Sequence, residues 1–452
     1  MFKRYHIQAK EAPHAFKRPN KFSVKVHKTK FVPMIINDLA KAKNSSELSQ
    51  TIKSRPCIYG VYGSLVGGMA PIEDKCRGCF RCVIENPGVV DVTINPEFEK
   101  AGDSYFRPNL VATIWEEASN GKVPVKGAGY RGPFAGPGFD GMWTDFSEIV
   151  RPTRDGIHGR EFISTEVDIG RKNTVFNGRA NNIKSIQLPI IFDTPIGIDA
   201  KVIKEAAKKT GLLAVVALRD LRGLEENVVP RASNGEIGKI DNGYRIIEME
   251  VDSVEGYMEA KAALPGKIVI ARVIANGNDA FIADLAKHAD SIHLVHDFHG
   301  FELSKNPRFI IDSTIAAHEA LVDAKIRDEL SLIVGGGIAA AEHVPKTIIC
   351  GADIVSIDIA ALVALQCKFN GQATQTLPSL NKFRAEWGTQ RLVNLLASWY
   401  DQLLEISGAM GMREIRRMRG ELGRAMFYED LETEVFEPIF GKRKTAEKLV
   451  AK

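Results

Sequence analysis

The chain has 452 residues, enough for a large core plus one or two smaller modules. Charged residues make up 26% and nearly balance, 60 basic against 56 acidic, and a net charge of +4 argues against an obligate nucleic-acid coat. The longest uncharged run, PCIYGVYGSLVGGMAPI between Arg55 and Glu73, is too rich in Gly and Pro for a membrane-spanning helix.

Residues 1 to about 50 form a basic arm with a short helical patch. The arm (MFKRYHIQAK through KFSVKVHKTK) lacks the apolar segment and cleavage-like site of a secretory signal, so a flexible or docking tail of a cytoplasmic protein is expected. Residues 51 to about 110 contain KCRGCFRCVIENPG, in which Cys76, Cys79 and Cys82 recur at every third position. Six cysteines, three of them within seven residues, in a chain without an export signal point to metal or cluster ligation rather than disulfides. Thiolates are soft ligands, and C-x2-C-x2-C lets one short loop reach three corners of an iron-sulfur cube. Structural zinc sites rarely use that spacing, and zinc and unligated thiols are the alternatives. The ferredoxin run continues with x3-C-P, and here that position is Asn86, followed by Pro87. The fourth ligand of a 4Fe-4S cluster must therefore come from elsewhere, and Cys57 in RPCIYG is the candidate. If Cys57 is only a buried thiol, the cluster is 3Fe-4S or takes a non-cysteine ligand.

Residues 111–184 read as a linker leading into the next domain, with KGAGYRGPFAGPGFDGMW as a long loop that could cover a site. From 185 to 375, apolar strands alternate with amphipathic helices: LPIIFD, a helix from Asp199, LLAVVAL, RIIEMEV, a helix from Ser253, KIVIARVIA, a helix, SIHLVHD, a helix from Ser313, LSLIVGGG, a helix, DIVSID, a helix. Short, almost wholly apolar strands indicate a parallel sheet buried on both faces. Their number approaches eight, which favours a closed (β/α)8 TIM-like barrel over an open doubly wound sheet. Gly335, Gly336 and Gly337 follow a strand and precede a helix, where barrels commonly bind phosphate; a tight turn is the alternative. His293, His296 and His299 step by three along an extended strand, which alternates faces and argues against a shared metal. Residues 376–452 form a helical extension, with Leu392, Leu395, Leu396, Trp399 and Leu403 on one face for packing against the barrel.

The stretch LSLIVGGGIAAAEHVPKTIICGADIVSIDIAALVALQCKF resembles the last two barrel strands of the FMN-binding domain of glutamate synthase. GMREIRRMRGELGRAMF resembles the tail of that family, and STEVDIGRK leading to LPIIFDTPIGIDA resembles the start of the same domain. The similarity runs from about residue 160 to 440. It implies a flavin-dependent, iron-sulfur-containing oxidoreductase of glutamate metabolism acting on CH-NH2 donors, with electrons passing between the cluster and FMN. Thr194, Pro195, Gly197, Arg272, Gly335, Gly336, Gly337, Gly351 and Ser356 are the implied cofactor contacts. Arg272 falls where the family places a lysine near the flavin pyrimidine, and the alternative is a strand arginine paired at the rim. His296 and Asp297 match the family's HD after a barrel strand and, with Arg272, are the implied catalytic residues.

Departures accompany the matches. Where the family has a glycine-rich G-F-G-T, this chain has Ser356, Ile357, Asp358 and Ile359, and Asp358 would repel a phosphate if it points into the site. RDLRGLEENVVPR replaces a glycine-rich loop associated with ammonia-dependent chemistry. Only Cys367 remains of the family's cysteines after the last strand, so the upstream triplet looks like a replacement electron port. The chain begins Met1, Phe2 without a cysteine nucleophile, and no G-x-G-x-x-G follows a strand. A ferredoxin or a partner redox or glutaminase subunit is therefore expected beside the small-molecule substrate, in an assembly that allows an oligomer, with neither nucleic acid nor membrane insertion. The alternative function is a non-catalytic electron-transfer or scaffold subunit with a degenerate flavin barrel. Nucleic-acid binding through the arm and REIRRMRGELGR is the weakest reading, because Glu414, Glu421, Glu429 and Asp430 offset the charge.

Overall fold

Short runs of Val, Ile, Leu and Ala close on themselves in the middle of the chain, because parallel strands covered on both faces need no polar side. The computed structural model describes residues 5–41, 43–47, 57–63, 69–123, 138–144, 163–172, 182–195, 198–369 and 378–441. Strands β1 (Phe22–Val26) and β2 (Val90–Ile94) pair antiparallel and tie the arm to the cysteine segment. After β3 (Met142–Thr144), a hairpin of β4 (Val167–Arg171) and β5 (Asn182–Ile186) leads into the barrel. The barrel strands are β6 (Ile190–Asp193), β7 (Ala214–Ala217), β8 (Val228–Ala232), β9 (Ile246–Glu250), β10 (Ile268–Ile274), β11 (Ser291–Val295), β12 (Ser331–Gly335) and β13 (Ile354–Ile357). They run parallel in sequence order, and Val355 opposite Ile190 closes β13 onto β6. Strand β14 (Ala425–Phe427) returns to pair with β3.

The expected eighth strand lies inside the stretch that the sequence reading took as a loop. Val228, Val229 and Pro230 pair with β7 even though Pro230 lacks the N–H a ladder uses, and this is why VVPRA does not read as a strand. Among the described residues, β7, β8 and β9 are joined through 3-10 turns, Leu218–Asp220 and Asn234–Lys239, instead of α-helices. Elsewhere the expected helices form. Asp199 caps Ala200–Thr210 by accepting the Lys201 N–H (2.9 Å), and Ser253 caps Val254–Ala263 through the Gly256 N–H (3.2 Å). The hairpin plugs the amino-terminal end of the barrel: Ser331 Oγ donates to the Asp168 carbonyl (2.7 Å), and Arg171 donates to the carbonyls of Ala286 and Ala289 (both 2.9 Å).

The helix Ala385–Ala409 buries Leu392, Leu395, Leu396, Trp399 and Leu403 as its periodicity predicts, against Pro108–Asn120 and the barrel helices. Of the two expected forms of the arm, flexible or docking, the described part is docked. Asn394 exchanges hydrogen bonds with Lys10 (3.0 and 2.7 Å), and Trp387 Nε1 donates to the Pro13 carbonyl (2.7 Å). Arg391, with no exposed surface, donates to the carbonyls of Ala364 (2.5 Å), Ala12 (2.8 Å) and Trp115 (2.9 Å). The basic cluster near residue 416 is spent on acids: Arg416 and Arg417 on Glu414, and Arg419 on Asp328 and Asp353. Among the described residues no helix is long and apolar enough to cross a membrane.

Candidate active site at the barrel mouth

The carboxyl ends of the barrel strands bring together charged side chains that the sequence scatters over more than 160 positions. The register places Arg272 opposite His293 and Arg231 opposite Glu248, and period-two alternation turns this set inward. Arg272 donates to Asp193 Oδ2 (2.7 Å) and Glu248 Oε2 (3.1 Å), and Arg231 donates to Asp193 Oδ1 (3.0 Å). Burial pushes the Glu248 carboxyl up, but Arg272 and His293 outweigh it and hold it down at about 2. Burial also works against the Arg272 charge, and Asp193 and Glu248 more than restore it. His293 Nδ1 meets Glu248 Oε1 at 2.5 Å and its Nε2 meets Ser356 Oγ at 2.8 Å. Nδ1–H donates to the Glu248 carboxylate, and Nε2 shares a hydrogen bond with the Ser356 hydroxyl. A continuous polar chain thus runs Arg231, Asp193, Arg272, Glu248, His293, Ser356.

His296 donates from Nδ1 to the Gly335 carbonyl (3.0 Å), and burial holds its pKa down at about 4, so the ring is neutral with a lone pair on Nε2. That nitrogen is buried without a partner among the described residues, as is Thr194 Oγ1 at the end of β6. Two orphaned polar atoms at the carboxyl ends of β6 and β11 fit a ligand lying across the mouth. Pro195 follows Thr194, and Gly197 lies outside the described residues.

The other expected contacts are placed differently. Gly336 has φ +102°, and a Cβ there would stand 2.4 Å from the Asp297 carbonyl oxygen. A Cβ at Gly337 would stand 2.8 Å from Gly300, so these glycines are demanded by packing against the loop 296–300, the tight-turn alternative, and not by an open phosphate cradle. Asp297 Oδ1 accepts the N–H groups of His299 (2.9 Å) and Phe301 (2.8 Å) and shapes that loop. Gly351 lies ahead of β13, at the opposite end of the barrel from the mouth, packed on His318 with its carbonyl accepting from Arg327 (2.5 Å). Asp358 caps the short helix Ile359–Ala364 through the Ile359 N–H (2.5 Å), and burial followed by the nearby Asp193 pushes its carboxyl up to about 7. A segment leaving the cysteine module closes the mouth. Tyr105 donates to the Gly337 carbonyl (2.5 Å) and stacks on His299, whose Nε2 donates to Asp103 (3.0 Å).

Asp193, Arg231 and Glu248 escaped the sequence reading, although each is a charge set inside or directly after an apolar strand, which is the signal that finds them. Arg272 combines both expectations, a mouth cation and a strand arginine paired by neighbours.

Cys57, Cys76, Cys79 and Cys82 share one small module whose core is Val24, Cys57, Val61, Tyr62, Cys82 and Val90. Cys57 joins the triplet. Burial raises the Cys76 thiol, and Cys82, Cys57 and Cys79 are near enough to raise it further. Burial likewise raises the Cys82 thiol. All four are free thiols, and among the described residues no three His, Cys, Asp or Glu side chains are drawn together into a metal-binding group. Cys367 is buried far from them in sequence, and burial keeps it protonated.

Fold and site together define a (β/α)8 barrel with its reactive groups gathered at the carboxyl ends of the strands, the arrangement of barrel enzymes. Residues 310–413 match the conserved region in glutamate synthase, from the helix Ile310–Asp323 into the long helix Ala385–Ala409. Over that region the chain is similar to glutamate synthases. It is 24% identical to the archaeal-type glutamate synthase [NADPH] of Dehalococcoides mccartyi, over 77% of this chain and 86% of the relative. It is 25% identical to the archaeal glutamate synthase [NADPH] of Archaeoglobus fulgidus, over 84% of this chain and 92% of the relative. Among solved structures, a mandelate oxidase variant with a monooxide FMN adduct aligns with a TM-score of 0.43 at 15% identity, covering 71% of this chain and 93% of that one.

Proposed function

We propose that the protein is a flavin-dependent oxidoreductase of glutamate synthase type, with FMN across the barrel mouth and an iron-sulfur cluster on Cys57, Cys76, Cys79 and Cys82. The observation that carries this reading is the conjunction of the conserved glutamate synthase region with the orphaned Thr194 Oγ1 and His296 Nε2 at the carboxyl ends of two barrel strands. FMN, when bound, supplies reversible two-electron chemistry between a substrate and a one-electron carrier. The residues of the chain do the rest. Arg272 is held rigid by Asp193 and Glu248, so it orients a ligand more than it adds net charge. Neutral His296 offers Nε2 as the acceptor for a substrate N–H or the site for a proton, and Thr194 supplies a hydroxyl. Tyr105 and the Asp103–His299 pair shut out water over the glycine turn. The substrate class is a small amino or imino acid, and electrons arrive from a ferredoxin or a partner redox subunit.

In the cysteine module, loading of iron would displace the thiol protons and draw the four sulfurs together. A visible spectrum of anaerobically purified protein tests the whole reading: a broad cluster band with flavin peaks is expected. A cluster without flavin supports the electron-transfer or scaffold alternative, which the position of Asp358 favours, since a charged carboxylate at the last strand opposes a phosphate. Replacing Cys76, Cys79 or Cys82 by Ala is expected to abolish or convert the cluster with the barrel intact, and Cys57→Ala to leave a three-iron EPR signal. Unchanged iron content in all four variants sinks the cluster.

A further inference from the structure

We infer that the cleft between the arm, the cysteine module and residues Gln366–Phe369 binds a phosphorylated ring compound of mononucleotide size. The cleft holds about 560 Å³, within the range of small-molecule sites, and lies beyond the helix Ile359–Ala364, with Phe106 between its Phe369 and His299 of the barrel mouth. Its wall is built in advance. Gln366 Oε1 accepts the N–H groups of Ala15 (2.9 Å) and Phe16 (3.2 Å), and Asn95 Nδ2 donates to the Asn20 carbonyl (2.9 Å). The arm residues between these two fastenings therefore line the cleft in fixed positions.

The charge balance then selects an anion. Lys17, Arg18, Lys100 and Lys368 line the cleft, against the carboxylates Glu73 and Glu97. Both acids are already engaged: Glu73 accepts from Ser23 Oγ (3.0 Å) and the Val24 N–H (2.7 Å), and Glu97 holds Lys100 (2.7 Å). Arg18 pairs with Glu116 outside the cleft. Lys17 and Lys368 remain, both exposed and in no ion pair among the described residues. Two ammonium groups at one cleft suit a phosphate better than a single carboxylate.

The ring part rests on a separate observation. Phe16, Trp115 and Phe369 give the cleft an aromatic side, and Trp115 is 5% exposed with an indole N–H that has no partner among the described residues. A buried donor left unpaired is costly, and an acceptor on a bound heteroaromatic ring satisfies it. Aromatic stacking surface, one edge-directed donor and two phosphate-binding lysines make up nucleotide recognition. The inference is independent of the flavin at the barrel mouth.

The test is calorimetric titration of the full chain, with excess FMN present, using ATP, AMP, adenosine and pyrophosphate as probes. ATP or AMP is expected to bind at least about tenfold more tightly than adenosine or pyrophosphate, each of which carries half of the recognition. Lys17→Ala with Lys368→Ala, exposed positions that leave the fold untouched, is expected to weaken ATP by about tenfold or more and to flatten its salt dependence. Trp115→Phe keeps the ring and removes the donor, and is expected to weaken AMP while leaving pyrophosphate unchanged. Absence of nucleotide binding up to roughly 10 mM overturns the inference, as does equal binding by wild type and the double lysine variant. Pyrophosphate binding as tightly as ATP overturns the ring assignment and with it the nucleotide class.

Discussion

Asp358 sets the charge at the end of the last strand. Its carboxyl is pushed up to about 7, first by burial and then by Asp193, against the Ile359 N–H that favours the charged form. Since the folded pKa exceeds the unfolded one, its contribution to stability is fully present below about pH 4 and is lost as pH rises through about 7. FMN retention should follow the same direction, because the ionised carboxylate repels the phosphate and the protonated one does not. Asp358→Asn keeps an acceptor for the cap and removes the charge. It is expected to raise flavin occupancy at about pH 8 and change little at about pH 6, read from the flavin-to-protein absorbance ratio. A larger gain at the lower pH sinks this account. At Gly336 the expectation turns on sterics: with φ +102° and the Asp297 oxygen 2.4 Å from an added Cβ, Gly336→Ala should cost about 3 kcal/mol or more in urea unfolding. A variant that unfolds like wild type yet loses flavin would restore the phosphate-cradle reading.

Elements differ in how openly the sequence declares them. Seven barrel strands stand out because burial on both faces demands unbroken apolar runs, and the face of the last long helix stands out because Leu392, Leu396, Trp399 and Leu403 keep helical spacing. Strand β8 is hidden by Pro230, which a barrel strand tolerates when its neighbours complete the ladder. The glycine turn after β12 looked like a phosphate loop because nothing local reveals that a loop from β11 fills its concave side. The arrangement around Arg272 was half legible: the arginine was visible, but its partners Asp193 and Glu248 come from strands 79 and 24 residues away. Arg391 is the clearest omission, since a lone arginine on an apolar helix face reads as a residue reaching for solvent. Buried instead, it gathers three carbonyls, and Arg391→Met would take a charged donor from each of them. The expected loss is about 3–5 kcal/mol in urea unfolding, with new protease cleavage in the arm; cleavage-resistant protein of wild-type stability would count against it.

The whole molecule combines one large core with one that barely suffices. Among the described residues the core of the cysteine module is six residues, two of them cysteines, a small interior that a cluster would staple. Removing iron under anaerobic chelation is therefore expected to speed amide exchange across β1, β2 and Cys57–Gly63 while β6 to β13 keep their protection. Equal protection before and after chelation would show that iron does not hold the module together. The pinned arm bears on how such a chain is made. Lys10 and Ala12 leave the ribosome long before their partners Asn394 and Arg391, which follow 384 and 379 residues later. At about 5–20 residues per second, the arm waits tens of seconds with its carbonyls and cations exposed. The barrel, meanwhile, presents an uncovered apolar flank until Ala385–Ala409 emerges. Translation that pauses before that helix prolongs the interval in which nascent chains can aggregate.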